Sequence, residues 1–397
     1  MANKLYLEEN YVIWEIDGSP TGEYSKNHCV YRETTTSFII KEEIDDGTAN
    51  ILKADVDAGN WLDETDTPYT VAGLRTWLRV NSGFKTASGG SEAEFIILVK
   101  TDNTGTSNSD QFTIPTTTGT YNYDVDWGDG NTDIGLTSGT THTYASAGTY
   151  TIKISGTFPR IYFNGAGSSD ARKLLEIQNW GIIAWGTDIR DSFEGCVNMQ
   201  LTANDVPDLS ITTNMLNFFN ACTIFTGNNS MQNWDVSTIA NLNYVFQNTQ
   251  FNIDISSWNT NNLQNMRQTF LNTPFNYDIS SWNVSKVGTF VQCFRGCSIN
   301  QNLGSWSLKT SGTNLSNIFN SSGMSTANYT DTIVGWANYV FTSGGPLNTN
   351  MATQTAMTFD TSRSGGANFA TAGDARTYLT TATPTGAGWT ISGDTVI

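Results

Sequence analysis

Apolar and polar positions change rhythm along this chain, and each rhythm predicts a different kind of element. Near the start, Tyr11-Val-Ile-Trp-Glu-Ile16 and Ser37-Phe-Ile-Ile40 read as strands. Val71, Leu74, Trp77 and Leu78 then fall on one face of a helix, which Gly83 can end. Alternation returns at Tyr150, Ile152 and Ile154, the mark of a half-buried strand. Further on the rhythm lengthens. Trp234, Trp258, Trp282 and Trp306 recur every 24 residues, and Phe246, Phe270, Phe294 and Phe319 follow them, the last after one extra residue. Smaller apolar residues keep fixed offsets between them: Val236, Val284 and Leu308; Ile239, Leu263 and Val287; Leu242, Met266, Phe290 and Leu315.

A period in the twenties is the size of one solenoid coil. A lone coil cannot bury its apolar face, so coils must stack, and residues at matching offsets then form ladders. That places the eight repeated aromatics in a continuous core rather than on a platform for stacking sugars. The second half of the coil repeats as well, as Phe251-Asn-Ile-Asp-Ile-Ser-Ser-Trp258 and Phe275-Asn-Tyr-Asp-Ile-Ser-Ser-Trp282. Cys196, Cys222 and Cys297 each follow a phenylalanine (Phe193, Phe219, Phe294) by three residues, an offset that Thr249, Thr273 and Ser322 hold in other coils. Such a column suits a small buried side chain. Five cysteines without a paired or CxxC framework predict neither disulfides nor zinc.

The phrases Asp254-Ile-Ser-Ser-Trp258-Asn and Asp278-Ile-Ser-Ser-Trp282-Asn-Val-Ser resemble the BspA-type leucine-rich repeats of bacterial surface proteins, over about 209–319. The tail, with Tyr329…Ile333-Val-Gly-Trp336-Ala, Ala375-Arg-Thr-Tyr-Leu379 and Gly388-Trp-Thr-Ile391, resembles the end module that follows such repeats. It is expected to cap the last coil with a helix, a strand and a second short helix. Upstream, Tyr123-Asp-Val-Asp-Trp-Gly-Asp-Gly130 and His142-Thr-Tyr-Ala-Ser-Ala-Gly-Thr-Tyr-Thr-Ile-Lys-Ile154 resemble the PKD-type β-sandwich. Residues 1–90 resemble, less specifically, the N-terminal domains of phage virion proteins. The expected fold is therefore mainly β and multidomain. An anchoring or oligomerisation domain of α+β or β type spans 1–90, and Gly89-Gly90 links it to a PKD-like sandwich at 91–163. A BspA-like solenoid fills 164–397, with 24-residue coils at about 209–322 and an α/β cap at 323–397.

Composition narrows the function. Twenty basic against 37 acidic residues give a formal charge of −17, which argues against nucleic acid and anionic membranes as partners. The acidic stretch Glu42-Glu43-Ile-Asp45-Asp46 reads as a solvated turn. Asp124, Asp126 and Asp129, with Asp133, are weak calcium candidates: they lack the spacing and closing glutamate of an EF-hand, and their phrase is explained as a structural turn. The two histidines, His28 and His142, offer no evident triad base. Asp235, Asp254 and Asp278 repeat with the coils instead of forming one unique carboxylate pair. No phosphate-binding loop is present. The expectation is a protein without catalysis or cofactor.

Met1-Ala-Asn-Lys-Leu-Tyr-Leu-Glu-Glu-Asn lacks the apolar core of a leader, and the longest aliphatic run, Phe95-Ile-Ile-Leu-Val99, is too short to span a membrane. The expected function is thus a phage spike, fibre or decoration protein on the virion surface. It would dock on capsid or tail proteins through residues 1–90, form a trimer or pentamer, and present the solenoid to a glycan or protein on the host. The alternative is a BspA-type bacterial surface adhesin whose leader is missing. A carbohydrate-active enzyme is a third option.

Overall fold

The computed structural model describes residues 94–397, apart from 166 and 168, and in the first 93 the strands named below with residues 56, 58, 60, 67, 68 and 74. The protein is mainly β. Its first strands are β1 (Asn3–Glu8), β2 (Tyr11–Ile16), β3 (Ser19–Ser25), β4 (Cys29–Glu33), β5 (Ser37–Glu42), β6 (Thr48–Leu52), β7 (Trp61–Leu62) and β8 (Gly83–Phe84). They form two sheets of the same design, β3-β2-β1-β7 and β6-β5-β4-β8. Each is an antiparallel meander with a short strand laid parallel to its first strand. The two apolar stretches read from the sequence are β2 and β5. Leu74 is helical and buried, but Gly83, the expected helix stop, belongs to β8. Val71, Trp77, Leu78, His28, Glu43, Asp45, Asp46 and the Gly89-Gly90 linker lie outside the described residues.

Next come β9 (Phe95–Lys100), β10 (Gln111–Ile114), β11 (Asn122–Asp126), β12 (Thr132–Leu136), β13 (Thr140–Thr143) and β14 (Thr149–Thr157). Strand β9 alternates strictly, burying Phe95, Ile97 and Val99. The Trp-Gly-Asp-Gly turn depends on Gly128. Its φ is 78°, and a Cβ there would lie 2.3 Å from the Thr151 carbonyl oxygen. β10 pairs with β13, while a larger sheet runs β12-β11-β14-β9-β15-β16, where β15 is Leu174–Asn179 and β16 is Gln200–Leu201. The sheet therefore passes through position 163 without a break. Phe95 packs on Phe158, Trp180 and Trp185 at ring distances of 6.5, 6.0 and 5.3 Å, so one apolar core continues from the strands into the coils.

Beside that junction lies a buried ion pair. Lys173 and Asp170, 3.9 Å apart, have fully buried side chains. Lys173 Nζ donates to Ser107 Oγ and to the carbonyls of Asn108 and Gln111, at 2.7, 2.7 and 2.8 Å. Asp170 accepts from the backbone N–H groups of Thr106, Ser107 and Thr113. Burial lowers the Lys173 pKa, against the pull of Asp170. The pair pins the loop before β10 to the chain entering β15.

From β15 onward successive coils stack in parallel. One bridge per step links Asp188, Asn214, Asn241, Asn265, Thr289, Asn314 and Asn350. The steps are 26, 27, 24, 24, 25 and 36 residues, so the tryptophan period holds only in the middle. Each interface is a ladder with every second residue donating. Met266, Gln268, Phe270 and Asn272 give their N–H groups to the carbonyls of Thr289, Val291, Cys293 and Arg295 at 2.9–3.0 Å. The backbone is not a strand, because two positions per coil are left-handed. One column holds Asp191, Asn217, Tyr244, Gln268, Gln292 and Asn317; the other holds Gly195, Ala221, Asn248, Asn272, Gly296 and Ser321. Asn, Asp and Gly adopt that conformation readily. Tyr244, Gln268 and Ala221 do not, and the hydrogen bonds on both sides hold them there.

Both ends of this ladder are covered. At the first coil, Phe163, Asn164 and Gly165 donate to Ser192, Asp191 and Glu194. The tail contributes α1 (Thr326–Ser343), β17 (Asn350–Met351), β18 (Thr358–Phe359), α2 (Ala372–Thr380), β19 (Thr390–Ile391) and β20 (Thr395–Val396). Helix α1 starts on a Ser325 cap and ends at left-handed Gly344, and α2 opens with a Thr371–Asp374 capping box. Leu315, Asn317 and Ser321 donate to the carbonyls of Asn350, Ala352 and Thr355. Between them, Phe319 N–H donates to the buried side chain of Gln354 at 3.0 Å, an amide standing in for a backbone carbonyl. Gln354→Leu orphans that donor and is expected to cost about 1–3 kcal/mol, read as a lower melting temperature.

Candidate recognition surface

The eight repeated aromatics are inside. Trp234, Trp258, Trp282 and Trp306 are 1–4% exposed, and Phe246, Phe270, Phe294 and Phe319 are fully buried. Trp258 and Trp282 stack at 6.2 Å with planes 7° apart. The phenylalanines form a column with spacings of 5.7, 5.6 and 5.9 Å. The indole N–H groups of Trp258, Trp282 and Trp306 reach back one coil to the carbonyls of Met231, Ile255 and Ile279. This decodes the Asp-Ile-Ser-Ser-Trp phrase. Asp254 Oδ1 caps its own turn by accepting from Ser256 N–H, Ile255 is buried, Ser257 Oγ donates to Gln232 of the coil before, and Trp258 fills the core.

The turn aspartates do not converge on one point. Asp126 accepts from Gly128 N–H, Asp124 from Gly135 N–H, and Asp133 from the Trp127 indole. Asp129 accepts from Asn131 and lies 2.9 Å from His142 Nε2. Burial raises the Asp129 pKa, but the hydrogen bonds from His142 and Asn131 outweigh it and hold the carboxyl below its usual value. His142 itself stacks on Trp127 at 4.7 Å and meets Tyr144 edge-on. Among the described residues, no three histidine, cysteine or acidic side chains come together to hold a metal ion.

Cys196, Cys222, Cys293 and Cys297 are free thiols in the core. Burial pushes the Cys297 thiol up to about 11, so it stays protonated and unreactive. In the column that Cys196, Cys222 and Cys297 share with threonine, Cys222 Sγ donates to the Phe193 carbonyl of the preceding coil, whereas Thr249 and Thr273 donate to Phe246 and Phe270 of their own coils. Ser322 differs, being half-buried against Met357.

With the aromatic core closed, contact falls to the sides of the stack. One side carries the ladder, with side-chain amides bonded along it: Gln268 to Gln292, Asn272 to Asn248 and Asn217 to Asp191. A second side follows the phenylalanines of the coil's other half. There Asn252 Oδ1 accepts from Asn276 N–H, and Asn276 Oδ1 from Asn300 N–H. On this side Tyr277 is 40% exposed, a position the sequence reading did not single out. A signal existed: the two otherwise matching phrases differ only at Ile253 and Tyr277, between positions that hold the same residues.

Residues 187–306 and 213–336 match the family model described as Mycoplasma protein of unknown function, DUF285. The match covers the coil stack and runs into α1. No curated protein and no solved structure matches the chain.

Proposed function

We infer that this protein is a bacterial cell-surface recognition protein of the BspA-like type. In this reading the stacked coils are a leucine-rich-repeat solenoid, residues 91–163 are a PKD-like spacer, and the tail caps the last coil. The observation that carries it is the sealed stack. Its interior is filled by repeated apolar side chains and both ends are covered, so long side faces are what remains for binding. The family match lies on those coils and favours the cell surface over a virus particle. Asp235, Asp254 and Asp278 each cap their own turn through Oδ1 and repeat with the coils instead of forming one unique pair, so the reading includes no catalysis.

Two measurements test it. Antibodies against the full chain should label intact, unpermeabilised producing cells. Labelling confined to purified phage particles would restore the virion reading. The labelled full chain should also bind saturably to immobilised matrix proteins, mucin or whole host cells. Release of sugars from a polysaccharide, without saturable binding, would make the protein an enzyme instead.

A further inference from the structure

We propose that the exposed strip centred on Tyr277 is a binding site for uncharged oligosaccharides. The inference deepens the surface-recognition reading and rests on it, by naming one face and one ligand class. Three columns run side by side here across adjacent coils. The middle column holds Ile253 and Tyr277, the first half-buried against the core and the second 40% exposed. On one flank are Asn252 and Asn276, both exposed. Each Oδ1 accepts from the next coil's backbone N–H, at 3.2 and 2.7 Å, and that of Asn276 also from Gln301 Nε2 at 3.2 Å, which fixes the amide and leaves Nδ2 to donate. On the other flank are Asp254 and Asp278. Each uses Oδ1 to cap its own turn, at 3.0 and 2.8 Å, and keeps Oδ2 as an acceptor.

An aromatic face between fixed amide donors and carboxylate acceptors matches the chemistry of a pyranose. The ring's axial C–H groups lie on the electron-rich face, and its hydroxyls donate to carboxylate and accept from amide. The amide and carboxylate flanks repeat from one coil to the next at about 4.8 Å, comparable to the length of one sugar residue, so two adjoining sugars can be held beside the single ring of Tyr277. The parts are held in place before binding, because each polar side chain is already tied to the backbone of its own or the next coil. The two carboxylates also set the selectivity. They repel sialylated, uronic or sulfated glycans, and the chain's charge of −17 adds to that repulsion. A protein ligand would need a broader apolar patch than one tyrosine and half an isoleucine supply.

The test uses the full chain, titrated by calorimetry with a panel of neutral hexose oligosaccharides and their sialylated or sulfated counterparts. Neutral members should bind, and acidic ones should bind more weakly at low salt. Tyr277→Ala should weaken neutral binding by about tenfold, while Tyr277→Phe, which keeps the ring face, stays near wild type. Tyr277 is exposed, so both variants should melt as the parent does. Asp278→Asn should tighten binding of the acidic counterparts, a shift that a purely structural role would not produce. Unchanged affinity in Tyr277→Ala, or equal affinity for acidic and neutral glycans, overturns the assignment. If the protein binds cells or matrix saturably but takes no neutral glycan, this site fails and the surface-recognition reading stands.

Discussion

Trp282→Ala should lower the melting temperature of the protein by on the order of 10 °C. The indole lies between Trp258 and the phenylalanine column, with Phe270 at 6.3 Å, and is 3% exposed. Truncating a buried tryptophan to alanine costs about 3–5 kcal/mol, from lost burial plus the cavity left behind. The coils above and below cannot close that cavity, because the backbone ladder between coils, with further backbone bonds such as Gly288 to Gln264 and Ser298 to Thr273, fixes their spacing. The Ile255 carbonyl also loses its indole donor. Trp282→Phe keeps most of the volume and should cost less, leaving mainly that hydrogen bond to lose. Scanning calorimetry distinguishes these outcomes. A Trp282→Ala protein of normal stability would place the repeated tryptophans outside the core.

Lys173→Met should be comparably damaging, at about 3–5 kcal/mol in a denaturant melt. Methionine fills the space of the lysine stem, so packing is not the issue. The substitution leaves Asp170 as a buried anion without its cation, and it strips three donors from Ser107, Asn108 and Gln111. Replacing both partners, Lys173→Met with Asp170→Leu, should recover part of the loss, since no lone charge stays buried. The recovery stays incomplete because the N–H groups of Thr106, Ser107 and Thr113 are then orphaned. Two single variants each costing under about 0.5 kcal/mol would show that this pair holds nothing together.

The coil stack was legible from Trp234 to Phe319 because each coil must present the same side chains to its neighbours, and a fixed period records that demand. It was not legible upstream, where the steps stretch to 26 and 27 residues and Trp180 and Trp185 sit outside the register. Nor did the ladder announce itself. It is made of backbone groups, and its left-handed columns accept Tyr244, Gln268 and Ala221 beside the expected Asn, Asp and Gly. Lys173 and its partners at 107–111 are separated by more than sixty residues, so no local pattern links them. In the first ninety residues two sheets share one strand order without sharing a phrase, which hid the relation between them. On the candidate face, repetition drew attention to the buried tryptophans. The outward position was marked by its variation, from Ile253 to Tyr277.

The sheet that crosses position 163 has a mechanical consequence. Strand β9 is zipped between β14 on one side and β15 on the other, along most of its length. The start of β9 and the end of β15 lie at the same edge of their antiparallel seam, so tension between the chain entering β9 and the chain leaving β15 opens that seam one hydrogen bond after another. The first contact to carry such a load is the Asn179 Nδ2 bond to the Glu94 carbonyl, at 2.8 Å. A pull on the far coils is therefore felt first at this corner, before the β9–β14 seam is loaded.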